Sequence, residues 1–363
     1  MDDRRDARGG RVSDRATRWD EALLPPAMAL AIAMVVGDVL ILAFGQSPGH
    51  VFGMLLEGTW GNAYGFGQTL YKATTLICTG LAVALPLRAG LFNIGAESQI
   101  AAGGFAAAAA GLVLPAGLPW PIAALACLLA AAAGGGLVGA VPGALKAKFG
   151  ASEVIVTIML NFVVLAFLNW IVAARLHVPE SLHTPEIASG GVPRFADVLS
   201  IFHGSAANVT LFLAVGLAAL TWWFLFRTQG GYELRAVGLQ PEAAANGGVS
   251  LGRTWFRAMV FGGAMAGMGG VNYVLGYRHY YEEGFGAGVG YMGIAVALVG
   301  RNHPAGIVLA ALLFATLSQG GLAVNAVVPK QMMEVLQAVV ILAVAVCVPE
   351  VRRVLRAAAR RAA

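Results

Sequence analysis

Long unbroken apolar runs and short polar breaks follow one another along this chain. Within a run the residues do not alternate apolar with polar, as the strands of a transmembrane barrel would. The runs are often about 20 residues long, the length a helix needs to cross hydrocarbon. In that solvent every backbone N–H and C=O has to be paired internally, so only helices and closed barrels can span. The pattern therefore predicts an all-α, polytopic membrane protein of about ten transmembrane helices. They are placed at 24–44, 68–87, 94–114, 120–141, 153–174, 207–226, 255–275, 287–300, 304–322 and 332–348. A transmembrane domain 24–348 then lies between tails at 1–23 and 349–363. The run at 287–300 is short for a span, and both 45–67 and 287–303 have room for a re-entrant segment or a short span. Arg301-Asn302-His303-Pro304 reads as a tight turn. Gly45-Gln46-Ser47-Pro48 reads as another, so the first run is expected to be an uncleaved helix rather than a signal peptide.

Composition agrees with bilayer as the solvent. Of 363 residues 58% are hydrophobic and 12% charged, with a mean hydropathy of +0.73, whereas a soluble domain carries about 25% charged residues. The net charge of +5 does not point to nucleic acid, because the cations are dispersed at the ends of apolar runs. Their distribution sets orientation instead. With the N-terminus inside, 19 of the 24 Lys and Arg fall in interior segments, against Arg175, Arg194, Arg278 and Lys330 outside and Lys72 within a helix. Both termini are expected to be cytoplasmic.

Few residues offer reactive chemistry. Cys78, Cys127 and Cys347 lie in apolar stretches without ligand-like spacing and read as packing thiols. His177, His183 and His203 in the exterior segment 175–206 match no zinc spacing, so no metal site is expected. Ionisable groups at membrane depth usually face a cavity or a partner. Glu97, with Asn93 at i−4, is expected either to pin a bend or line a path with Asn93 and Gln99, or to cap its own helix N-terminus. Glu153 after Ser152 reads as a capped helix start. Asn161, Asn169 and Asn272 suit sugar hydroxyls or base edges and equally suit interhelical bonds. Glu282 and Glu283 beside Arg278 face outside, as docking or solvated charges. Gly262, Ala266 and Gly270 put small residues on one helix face for close packing. Gly80-Leu-Ala-Val-Ala-Leu-x-x-Arg88 recurs as Gly293-Ile-Ala-Val-Ala-Leu-x-x-Arg301, in the same predicted direction, as a parallel repeat or a coincidence would have it.

The interior segment 227–254 reads RTQGGYELRAVGLQPEAAANGGVSLGRT. Pro241 opens a short helix through Asn246, and Gly247-Gly248 stops it. Such a helix, flanked by Arg235 and Arg253, is either a docking element for a cytoplasmic partner or an ordinary polar loop. Glu242-Ala243-Ala244, followed after three residues by Gly248, resembles the E-A-A-x-x-x-G loop of ABC importer permeases, without that motif's downstream hydrophobic and Leu-Pro positions. Gly90-Leu91-Phe92-Asn93-Ile94-Gly95-Ala96-Glu97-Ser98-Gln99 resembles the G-L-F-N-I-G-A-E-G-Q signature of the nucleoside and simple-sugar branch, Ser98 replacing a glycine. Three further stretches are similar to the same branch: Ser152 to Thr157 with Asn161, Arg235-Ala236-Val237-Gly238, and Gly293 to Leu298 with Arg301 and Pro304.

The resemblance covers about residues 45–320 and implies an importer subunit for nucleosides or related sugars. It implies a periplasmic or lipid-anchored binding protein outside and a second permease in the membrane. It also implies a cytoplasmic ATPase, docked on the loop through Arg235, Glu242, Ala243, Ala244 and Gly248. ATP and Mg would be held by that ATPase, with no cofactor on this chain. Consistent with that division, none of Lys72, Lys146, Lys148 and Lys330 follows a glycine, so the chain has no P-loop. Two other classes of membrane protein are the alternatives. A secondary transporter would need no E-A-A loop, and a membrane-embedded enzyme would need a reactive constellation that the chain lacks.

Overall fold

A computed structural model describes Met28 and residues 31–115, 117–286, 288–329 and 331–344. The predicted tails at 1–23 and 349–363, with Cys347, lie outside the described residues. The helices are α1 (Ala31–Ala43), α2 (Pro48–Thr59), α3 (Ala63–Arg88), α4 (Ala96–Val113), α5 (Trp120–Phe149) and α6 (Glu153–Ile171). There follow α7 (Phe195–Val198), α8 (Thr210–Arg227), α9 (Gln229–Leu239), α10 (Pro241–Asn246), α11 (Leu251–Tyr273), α12 (Val289–Val299), α13 (Pro304–Ala323) and α14 (Gln331–Val344). α6 and α11 each run on into a π-helical turn, Val172–Leu176 and Val274–Arg278. Among the described residues there is no strand, only isolated bridges at His183–Glu282 and Arg194–Asn208.

The chain is all-helical and multi-pass, but the predicted ten spans are not reproduced. Among the described residues six helices are long and apolar enough to cross a membrane: α3, α5, α6 with its π turn, α8, α11 with its π turn, and α13. A seventh is obtained if α1 and α2, bent by 111° at their junction, make one span. Of the other predicted spans, 24–44 and 332–348 extend beyond the described residues, and those at 94–114 and 287–300 fall short of that length and apolarity. The first turn of α4 carries Glu97, Ser98 and Gln99, and α12 has only 11 residues. The region 45–67 holds α2 and the first turn of α3.

The chain divides into two compact units. In one, formed by described residues of Met1–Leu56 and Gly320–Ala363, Leu336 lies against Gly37 and Leu55 against Gly320. The other, Glu57–Gln319, is built on glycine contacts. A Cβ on Gly263 would sit 2.3 Å from the Gly135 carbonyl oxygen, and one on Gly267 2.2 Å from that of Ala131, so α5 and α11 touch backbone to backbone. The predicted small-residue face of α11 serves other neighbours, Gly262 against Ala82 of α3 and Gly270 against Gly104 of α4. The two copies of the repeated stretch lie side by side. Gly293 packs on Thr79 and, nine residues on in both segments, Arg88 meets Asn302. α3 and α12 therefore run parallel and in step.

Candidate functional site

After Arg88 the chain turns at Gly90 (φ +78°) and re-enters the bundle as an extended segment up to Gly95. Asn93 on this segment donates to the Ala82 carbonyl at 3.1 Å, and Ile100 of α4 reaches the level of Cys78. α4 therefore starts near the middle of the 26-residue α3. α12 starts at the same level from the opposite side, because a Cβ on Gly290 would fall 2.2 Å from the Glu97 nitrogen. Non-helical backbone at this depth persists only if the protein satisfies its polar groups.

The signature residues do that. Asn93 Oδ1 accepts from the Gly95 N–H, and Asn93 and Gln99 exchange two amide bonds of 2.9 and 3.1 Å. Asn161 of α6 accepts from the Ser98 N–H at 3.1 Å and donates to the Ile94 carbonyl and the Tyr291 hydroxyl. Glu97, 4% exposed, accepts from the backbone N–H groups of Gly288 and Gly290 at 2.6 and 2.8 Å. It thus caps the first turn of α12 across the junction rather than that of α4, where orphan N–H groups favour a carboxylate. Asn93 precedes the helix, so the expected i−4 pairing with Glu97 on one helix face does not exist. Asn272 works in the same way nearer the start of α3. Its amide donates to Tyr71 O and Thr75 Oγ1 and accepts from Asn208 and Thr210, tying α11 to α3 and to the start of α8. Glu153 also differs from expectation: Ser152 makes no side-chain cap, and Glu153 pairs with Lys146 at 2.9 Å.

The interior segment is shorter and more ordered than predicted. α8 ends at Arg227 and α11 begins at Leu251, and between them stand two helices where the sequence suggested one. Thr228 caps α9 by accepting from the Gly231 N–H. Arg235 donates to the Gly231 carbonyl and lies over the Phe226 ring at 5.3 Å, pinning α9 to the end of α8. Gly238 presses on the α3 terminus so closely that a Cβ would lie 2.1 Å from the Arg88 oxygen. α10 places Glu242 and Ala243 in the open and buries Ala244. Gly248 closes it at φ +83°, where the Val249 N–H reaches Ala244 O and the Gly248 N–H reaches Ala245 O. That pair of bonds is a Schellman stop, which favours glycine at this position.

Arg88 joins this segment to the junction. Its Nε and Nη2 donate to the Asn302 carbonyl at 3.0 and 2.9 Å, in the α12–α13 turn, where Arg301 and Asn302 both have positive φ. His303 beside it packs at a tilt against Phe226, and burial with the Arg88 cation pushes its pKa below the usual imidazole value. A continuous path of contacts therefore runs from α9 through Arg88 to α12 and Glu97.

Residues 65–345 match the family described as "Branched-chain amino acid transport system / permease component". The chain belongs to this permease family. A guanosine ABC transporter permease protein of Bacillus subtilis is 37% identical to it, over 89% of this chain and 93% of its own length. A nucleoside ABC transporter permease protein of Lactococcus lactis is 33% identical, over 89% and 91%. A glucose ABC transporter permease protein of Haloferax volcanii is 32% identical, over 87% and 85%. No solved structure matches the chain. The chain is thus a transport permease subunit and not an enzyme.

Within this permease the sequence reading missed three features: α9, the Arg88–Asn302 link and Tyr291. Tyr273 and Tyr277, which as aromatic residues suit a path for a neutral substrate, stand instead in a packed aromatic group. Tyr71, Tyr273 and Tyr277 pack together, Arg278 lies over Tyr273, Tyr277 and Tyr280, and Tyr273 donates to Glu282. His183 stacks on Tyr280 at 4.3 Å, so this loop histidine packs against a ring. Among the described residues no His, Cys, Asp or Glu cluster has the makeup of a metal site.

Proposed function

We propose that this permease is one of two membrane subunits of an ABC importer in the bacterial cytoplasmic membrane, carrying nucleosides or related sugars inward. The observation that carries the reading is the α9–α10 segment, which presents Glu242 and Ala243 outward while Gly238 abuts the last turn of α3. A cytoplasmic ATPase, with ATP and Mg in its own site, docks on α10. Its movement passes through Gly238 and Arg88 to α3 and α12. The positive-inside count supports a cytoplasmic position for both termini and this segment. An extracytoplasmic binding protein then faces the outer loop that precedes α8. Nucleosides are preferred to glucose as cargo because the guanosine relative is similar at higher identity than the glucose relative.

In membrane vesicles containing the whole transporter, guanosine uptake is expected to require both ATP and the ATPase subunit. Uptake that persists in vesicles without that subunit would overturn the reading in favour of a secondary transporter.

A further inference from the structure

Almost every polar side chain at the mid-depth junction is sealed. Asn93, Ser98 and Gln99 are fully buried, and Glu97 and Asn161 are nearly so, with their hydrogen bonds spent on the chain itself. None of them is free to bind cargo. Tyr291, in the first turn of α12, differs from them: it is 43% exposed. Its hydroxyl accepts from Asn161 at 3.1 Å, which fixes where the ring stands.

Two comparisons set this ring apart. The faces of Tyr71, Tyr273, Tyr277 and Tyr280 are occupied by one another, by Arg278 or by His183. Among the described residues no aromatic ring or cation packs on Tyr291, nor on Tyr64 and Tyr232, which stand in the first turn of α3 and in α9. Its depth is also unusual. It stands ten residues from Arg301 at the inner end of α12, about 15 Å at the helical rise of about 1.5 Å per residue, whereas membrane tyrosines gather at the headgroups. Nearby, Gly284 and Gly288 are exposed with positive φ, and a Cβ on either would meet nothing within 4 Å.

We infer that the Tyr291 ring is a stacking platform on the translocation path, taking the planar base of a nucleoside. The inference rests on the nucleoside reading above. A rigid ring whose position is already fixed loses little freedom on binding a flat ligand, and stacking tolerates different bases because each has a π-face. A larger purine covers more of the ring than a pyrimidine, so the platform favours purines.

The test is uptake by cells that carry the whole transporter and no other nucleoside uptake system, normalised to permease in the membrane. Tyr291→Leu removes the ring at similar volume and is expected to lower guanosine uptake roughly tenfold and uridine uptake less, by the usual worth of base–aromatic stacking. Tyr291→Phe keeps the ring and is expected to retain most guanosine uptake and the purine preference. Uptake by Tyr291→Leu equal to the parent overturns the platform and leaves the nucleoside reading intact. Equal losses in both variants overturn it as well, by assigning the effect to the hydroxyl bond with Asn161. A parent transporter that carries glucose and no nucleoside overturns both readings together.

Discussion

The junction between α4 and α12 and the interior segment between α8 and α11 are both interruptions in a bundle of helices, finished in opposite ways. At the junction, side chains satisfy the backbone where α4 and α12 begin: Asn93, Gln99, Asn161 and Glu97 pair with backbone or with one another and are buried. In the interior segment the Thr228 side chain caps α9 and a backbone turn at Gly248 stops α10, while Glu242 and Ala243 are left exposed. Buried polar groups in this chain hold architecture, because an unpaired one in hydrocarbon costs several kcal/mol. Exposed ones are available to partners. A motif's conspicuous residues therefore divide by burial into those that build and those that dock.

That division can be broken most sharply at Glu97. Glu97→Leu leaves the buried Gly290 N–H without its acceptor, at about 1–3 kcal/mol, and removes the part-buried Gly288 bond as well. Permease abundance in the membrane, read by immunoblot, is expected to fall severalfold. Glu97→Gln, which keeps one acceptor oxygen, is expected to fall in between. Normal abundance of the Leu variant would remove Glu97 from the building class.

A smaller loss is expected at Gly238. Its added Cβ would overlap the Arg88 carbonyl, a backbone atom that cannot swing away. Overpacking of this kind costs about 1–3 kcal/mol, so Gly238→Ala should lower the unfolding temperature in detergent and reduce uptake together. Unchanged thermal unfolding would show that α9 does not press on α3. Smaller still is the effect at Gly248, where φ is +83° and nothing crowds the position. Gly248→Ala pays only the left-handed backbone penalty of about 1–2 kcal/mol. Abundance should hold while uptake drops modestly, and Gly248→Asn should recover part of it. Equal uptake by all three forms would separate the Schellman stop from transport.

The two regions were unequally legible in the sequence. α10 could be read because Pro241 starts it and two glycines end it. α9 escaped because QGGYELRAVGL carries three glycines, and its two buried apolar contacts, Leu234 and Val237, make too weak a stripe. The signature stretch announced itself as a motif, yet its shape did not. Apolar periodicity is the same for a helix that begins at the membrane surface and one that begins at mid-depth, so α4 and α12 both read as full spans. For the same reason Asn93 was placed on a helix with Glu97, when it lies in the extended approach to that helix. Tyr291 sits inside an apolar run and looks like core; only the position of α12 beside Asn161 gives its hydroxyl a partner and leaves its ring exposed.

The central claim is that an ATPase drives this permease through the outward face of α10. Glu242→Arg reverses the charge of an exposed side chain that makes no contact needed for the fold, and deletion of 241–246 removes the helix. Guanosine uptake, measured beside permease abundance in the same membranes, is expected to disappear in both variants while abundance stays at the parent level. Normal uptake by either variant would contradict the account.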